Sequence, residues 1–317
     1  MRPETVVTGL RFGEGPTWRP DTADVICVSM SDGCLYRVDP EAKTLEVFAD
    51  TAGSPNGTAP CADGGVLVAQ NGGVAFRQVR LPLPARQERL EEMIPGDLPE
   101  LRYAAPGVQR VHPDGSVTRM LGPDIALGAP NDIVVAPDNS VLFSDTGTSL
   151  RNGAPQPVGT AGIYRYRPPG TDAWPWSPAM AETFGRAELI VATRPNGIAV
   201  SPEGRILAVA EGGLRWLGSD GALAPFYEDA AVDGLTFDAE GNVYACIPWD
   251  STILVIDSDG SLIEELESPE GGMHPTNCCF GGEALGTLFV TDWNGGGRVL
   301  AWRNLPARGF APPAYRD

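Results

Sequence analysis

Six polar side chains recur at one place in a repeated pattern. They are Glu14, Asn56, Asn131, Asn196, Asp233 and, in the last copy, Thr276 or Asn277. Each stands beside or in place of a glycine and opens a short apolar run. An isolated Asn-Gly pair is ordinarily a turn. A polar side chain at the same place in every copy points instead to a shared site. Glu14, Asn131, Asn196 and Asp233 together offer two carboxylates and two amide carbonyls. Two carboxylates balance the charge of a divalent cation and the amides add neutral hard oxygens, which suits Ca²⁺ first. Mg²⁺ and Mn²⁺ are alternatives, and Zn²⁺ is the poorest fit because no His or Cys is among the four.

His274 is the histidine close in sequence to one of these positions, and it could move a proton or touch a substrate. No orienting partner for it can be read from the sequence. Motifs for other chemistries are absent: there is no Gly-x-Ser-x-Gly, His-Glu-x-x-His, Gly-x-x-x-x-Gly-Lys or Cys-x-x-Cys. A metal therefore has to carry the reaction.

The elements that bring these residues together are strands. Arg194 to Gly213 is the most legible copy: Pro195-Asn196-Gly197 reads as a tight turn, Ile198–Val200 as a strand, Pro202-Glu203-Gly204 as a reversal and Ile206–Ala210 as the returning strand. A second hairpin follows at Ser219-Asp220-Gly221. Copies return about every 40 to 70 residues, which argues for one closed array rather than two domains. The expected architecture is an all-β, six-bladed β-propeller with four antiparallel strands per blade, a single domain over residues 1–317. Blades open at Glu14, Pro55, Pro130, Pro195, Val232 and Pro275. Blade six supplies only three strands before the Pro-rich tail Leu305 to Asp317, so Glu4–Thr8 is expected to complete it and remove an open edge.

If the polar residue opens the innermost strand, the antiparallel second strand returns to the same end. The loops after it then share the functional face. They hold Asp32, Asn71, Asp145, Glu211, Trp249-Asp250 and Asp292-Trp293-Asn294, with two insertions, about 76–106 in blade two and 148–160 in blade three. The first insertion contains Leu81-Pro-Leu-Pro84, a helical turn or two at Arg86 to Met93, and Leu98, Leu101 and Tyr103. It reads either as a lid over the metal face or as a loop covering the ends of blades two and three. Asn131, Asp145, Trp249, Trp293, His274 and Tyr103 are the candidate substrate contacts. A long connection from Pro168 to Ala187, with Trp174 and Trp176, falls on the opposite face.

Composition narrows the partners. The net charge of −18, with 23 basic residues and no basic run, speaks against nucleic acid and anionic membranes. A small molecule and a cation fit better, in a monomer or small homo-oligomer. No stretch approaches 18 apolar residues and the N-terminus has no signal-peptide pattern, so a cytoplasmic location is the expectation. Six cysteines, two of them adjacent, lack secreted-domain spacing and read as reduced core thiols. Lys43 is the sole lysine, which leaves almost no candidate for Schiff-base chemistry and suggests a GC-rich, bacterial genome.

The chain resembles the SMP-30/gluconolactonase family of six-bladed propellers. The resemblance rests on Gly13-Glu-Gly-Pro-Thr-Trp18, Pro130-Asn-Asp-Ile-Val-Val135 with Leu142-Phe-Ser-Asp145, Pro195-Asn-Gly-Ile-Ala199, Asp233-Gly-Leu-Thr-Phe-Asp-Ala-Glu-Gly-Asn-Val-Tyr244 and Thr276-Asn-Cys-Cys-Phe-Gly-Gly282 with Thr287-Leu-Phe-Val-Thr-Asp292. It implies that Glu14, Asn196 and Asp233 bind a catalytic divalent metal, that Asn131 ligates it or contacts substrate, and that Asp233 is general base or nucleophile. The implied reaction is hydrolysis of a lactone by water attacking a metal-polarised carbonyl. The alternatives are a non-catalytic Ca²⁺-stabilised propeller that binds a small ligand or protein, and an organophosphate hydrolase of the diisopropyl fluorophosphatase type. The two insertions and His274 depart from the family pattern and bear on the substrate.

Overall fold

The computed structural model describes residues 2–79, 88, 97–121, 126–169, 184–228 and 231–317. Leu81-Pro-Leu-Pro84, Trp174 and Trp176 lie outside them, as does the stretch Arg86 to Met93 except for the helical Glu88.

Six four-stranded antiparallel sheets stand in a ring, so the expected propeller is observed. Blade one is Gly13–Arg19, Asp24–Ser29, Cys34–Asp39 and Thr44–Asp50. Each innermost strand touches those of its two neighbours, which closes the ring at the axis. Apolar residues on both faces of the blades form six core clusters, one wedged between each adjacent pair. Ile26 and Val28 of blade one meet Val66 and Val68 of blade two, and Val25 and Cys27 meet Phe289 and Val299 of blade six. This explains why the middle strands read as continuous apolar runs rather than alternating ones.

Closure is made by the N-terminal strand. Glu4–Thr8 pairs antiparallel with Arg298–Arg303, Glu4 opposite Ala301 and Thr8 opposite Arg298. At the end remote from the hub the tail acts as a strap. Phe310 N donates to Phe237 O, Tyr315 N to Pro60 O and Arg316 N to Asn139 Oδ1, so the tail spans blades five, two and three. Beneath it lies an axial cavity of about 460 Å³, lined by Thr17, Ile133, Val135, Leu235 and Phe310.

One local expectation is corrected. Pro195-Asn196-Gly197 is not a tight turn: it is the start of strand Pro195–Val200. The register slips there between Pro195 and Ile198, and equivalent slips occur at Glu14/Thr17, Pro55/Thr58, Pro130/Ile133 and Pro275/Asn277. A bulge at the head of the inner strand re-aims the residues it carries. Gly197 is required for approach, since a Cβ there would fall 2.4 Å from Asp233 O in the next blade.

Candidate functional site

The bulges place the recurring polar residues at one end of the axis. Gly13 pairs with Ser29, Pro55 with Gln70, Pro130 with Asp145, Pro195 with Ala210 and Pro275 with Asp292. Second strands therefore end where inner strands begin, and the loops carrying Trp249 and Trp293 share the hub face.

At the hub Glu14 is buried, and Asn131, Asn196 and Asp233 are partly exposed. Asn196 Nδ2 donates to Asp233 Oδ1 at 2.7 Å. The backbone of Asp233 is fixed as well: its N–H donates to Cys246 O at 2.9 Å and its carbonyl accepts Gly197 N at 3.0 Å. Blade six aligns through Thr276, whose Oγ1 donates to Gly13 O at 2.8 Å and so ties blade six to the strand bearing Glu14.

The electrostatics are those of a site short of positive charge. Burial, then the charges of Asp233 and Asp132, hold the Glu14 carboxyl well above the usual carboxylate range. Burial pushes Asp233 up to about 7, with the Asn196 bond opposing and the Asp132 charge adding. Asp132 rises to about 6 through burial, against the bonds it accepts from Ile198, Ile133 and Asn277. Among the described residues none of the three forms an ion pair with Arg or Lys.

A divalent cation fits this donor set. Asn196 Oδ1 is buried without a hydrogen-bond partner, and a buried acceptor left so costs about 1–3 kcal/mol. A hard cation would satisfy it and relieve the carboxylates at once. Among the described residues no group of three or more His, Cys, Asp or Glu is arranged to hold a metal. The fitting set mixes carboxylate with amide oxygens.

The other predicted residues divide by what they touch. Asp145 is fully buried and accepts N–H bonds from Gly128, Ala129 and Gly147 at 3.0, 2.9 and 2.7 Å, bracing the loop ahead of Asn131. Asp292 does likewise in blade six, accepting from His274 N at 2.6 Å, Asn294 N at 3.0 Å and Arg298 Nε at 2.6 Å. His274 has the orienting partner that the sequence did not reveal. Its Nδ1 lies 2.9 Å from Pro248 O, which can only accept, so Nδ1 donates there and the ring is held.

Trp249 and Trp293 meet edge to face at 6.2 Å between centroids, Trp293 lies 4.4 Å from Phe12, and Phe12 lies 4.7 Å from Phe76. Trp249 belongs to blade five, Trp293 to blade six, Phe12 to the approach to blade one and Phe76 to blade two. These rings form an aromatic arc on the hub face, with Leu98 and Leu150 of the two insertions packed against the same cluster. Tyr103 is 50 % exposed and joins the insertions: its hydroxyl donates to Arg151 O at 2.8 Å and the Arg151 guanidinium lies 4.7 Å from its ring centroid. Sequence reading did not single out Asp132, Phe12 or Phe76. The only signal for Asp132 was that it replaces the glycine found after the polar residue in four of the other copies.

Known proteins resemble this chain over most of its length. The pentonolactonase XacC of Haloferax volcanii is 24% identical over 323 residues, covering 98% of this chain and 91% of the relative. The gluconolactonase of Zymomonas mobilis subsp. mobilis is 25% identical over 327 residues, covering 91% and 78%. The crystal structure of a calcium-binding protein, regucalcin, from Agrobacterium tumefaciens superposes with a TM-score of 0.70 at 16% identity, covering 100% of this chain and 98% of that one. The profile of the SMP-30/Gluconolactonase/LRE-like region matches residues 12–294. By that match the chain belongs to the SMP-30/gluconolactonase/LRE-like family.

Proposed function

We propose that this protein is a divalent-cation-dependent lactonase, hydrolysing a cyclic ester to its hydroxy acid. The observation that carries the reading is the orphaned Oδ1 of Asn196, whose Nδ2 bonds Asp233, at a hub whose buried carboxylates have no ion-pair partner among the described residues. The lactonase relatives supply the reaction class. Glu14, Asn196 and Asp233 would hold the cation with Asn131 beside it, and Ca²⁺ is the first choice for so oxygen-rich a set. When bound, the cation supplies Lewis-acid stabilisation for the negative charge that develops on the lactone carbonyl oxygen.

The chain's own groups do the rest. Asp233, held at Oδ1 by Asn196, takes a proton from the attacking water as its oxygen bonds to the carbonyl carbon. The ring C–O bond then breaks, and the proton passes to the leaving ring oxygen. His274, held through Nδ1 by the Pro248 carbonyl, would orient a substrate hydroxyl or the water. Asp145 and Asp292 act through the loops they brace, while Asn131, Trp249, Trp293 and Tyr103 line the approach. The ends of the two insertions are tied together through Tyr103 and Arg151 at the edge of this face. The test is a panel of lactones assayed before and after chelation, with base titration of the acid released. Hydrolysis that disappears with chelator and returns with Ca²⁺ is expected; a chain inert on every lactone with Ca²⁺ saturating would contradict the reading.

A further inference from the structure

One position below the hub residues the chain carries Gly15, Gly57, Asp132, Gly197, Gly234 and Asn277. The glycines leave space at the axis. A Cβ on Gly57 would fall 2.2 Å from Asp132 Oδ1, and one on Gly234 would fall 2.2 Å from Asn277 Cγ. Into that space two side chains reach from opposite blades, three and six. Asn277 Nδ2 comes within 3.5 Å of Asp132 Oδ2. Both are oriented by their own backbones: Asn277 Oδ1 accepts Cys278 N at 2.8 Å, and Asp132 Oδ1 accepts Ile133 N at 2.9 Å. Asp132 Oδ2 also accepts Ile198 N at 3.1 Å, from the strand that presents Asn196.

A carboxylate buried in this way without an ion-pair partner is costly unless a positive charge lies nearby. Its charge is felt by Glu14 and Asp233, one layer up. The axis thus carries a second tier, with one carboxylate and one amide facing each other across it.

We propose that Asp132 is the axial counter-charge of the hub: a third carboxylate that tightens divalent-cation binding from below and, through Ile198 N–H, positions Asn196, with Asn277 as its neutral partner. This rests on the cation-binding reading above. Because the two side chains approach one place from opposite blades, the charge should be movable from one to the other.

The experiment measures Ca²⁺ affinity by calorimetry on chelator-treated, dialysed protein, with folding checked by circular dichroism. The control is Glu14→Gln, a proposed ligand. Asp132→Asn should weaken Ca²⁺ binding about ten-fold or more, as loss of outer-shell partners does, with a far smaller change in kcat at saturating Ca²⁺. Asn277→Asp keeps the acceptor for Cys278 N and adds a carboxylate, so it should lower the Tm of the chelated protein and tighten Ca²⁺ binding. The double exchange, Asp132→Asn with Asn277→Asp, should recover most of the affinity lost in the single variant. Unchanged affinity in Asp132→Asn, or a double variant as weak as the single one, overturns the inference while leaving the hub site intact. If Asp132→Asn does not fold, Asn277→Asp decides alone, and failure to tighten binding overturns it. A wild-type chain with no Ca²⁺ binding that Glu14→Gln removes overturns this inference and the hub reading together.

Discussion

Asn196 donates through Nδ2 to Asp233 Oδ1 at 2.7 Å, and that bond leaves the other amide atom, Oδ1, buried without a partner. The two residues head neighbouring inner strands, and Gly197 N–H donates to the Asp233 carbonyl, so the pair is held by backbone as well as side chain. A carboxylate and an amide are thereby fixed beside one another at the hub.

The first prediction concerns pH and metal removal. Burial raises Asp233 to about 7 and lifts Glu14 in the same direction. For an acid whose folded pKa is raised, the stabilising contribution is complete below the unfolded pKa and is lost as pH rises through the folded value. The Tm of chelator-treated protein should therefore fall between about pH 4 and about pH 7 through Asp233, with Glu14 acting in the same direction. Ca²⁺ favours the ionised carboxylates, so its stabilising effect should grow over the same range. Differential scanning calorimetry at several pH values, with and without Ca²⁺, checks both slopes. A Ca²⁺-induced shift that shrinks toward about pH 7 would count against the pair as ligands.

Asp233 and Glu14 should separate by phenotype. Asp233→Asn keeps an oxygen that can coordinate but loses the proton acceptor, so kcat at saturating Ca²⁺ should drop at least about 100-fold. Glu14→Gln should chiefly weaken Ca²⁺ binding, by at least about ten-fold, the lower end of what outer-shell groups alone are worth. Stopped-flow turnover beside calorimetric Kd values resolves the two. Near-normal turnover in Asp233→Asn would remove it from the role of base.

The aromatic arc predicts substrate preference. Phe12 and Trp249, partly exposed beside the buried Phe76 and Trp293, offer apolar surface on the hub face, worth about 25 cal/mol for each Å² that a substrate buries. kcat/KM should be higher for an alkyl- or aryl-substituted lactone than for gluconolactone. Trp249→Ala should reduce the former more than the latter. Equal losses on both would make the arc a packing feature alone. Trp293→Ala, at a position 7 % exposed, should instead cost about 3–5 kcal/mol of stability.

Ring closure can be tested without substrate. Deleting residues 1–8 removes the buried Val6 and Val7 and bares the edge of Arg298–Arg303. The expected loss is about 3 kcal/mol or more from burial alone, together with aggregation through the open edge. Denaturant melts and light scattering of the truncated chain measure both. A truncated protein as stable and as dispersed as the full chain would mean that closure does not depend on this strand.

Much of this was legible in the sequence because propeller blades repeat. Turn dipeptides such as Pro202-Glu203-Gly204 and Ser219-Asp220-Gly221 set the hairpins, and the recurrence of a polar residue marked the hub. The start of the inner strand was misread at Pro195-Asn196-Gly197, since the same residue types that make a turn also serve a bulge packed against the next blade. Asp132 was missed because its role depends on Asn277, 145 residues away, reaching the same point from the opposite blade. The partner of His274 was invisible for a similar reason: Pro248 contributes a backbone carbonyl, and that has no side-chain signature.

The most direct test of the hub as a cation-dependent lactone-opening centre is turnover of a lactone during Ca²⁺ titration of the chelated wild-type chain, with bound metal counted by mass spectrometry. Hydrolysis should rise from the uncatalysed rate in proportion to Ca²⁺ bound, saturating at one ion per chain. Full turnover by protein carrying no divalent metal would contradict it.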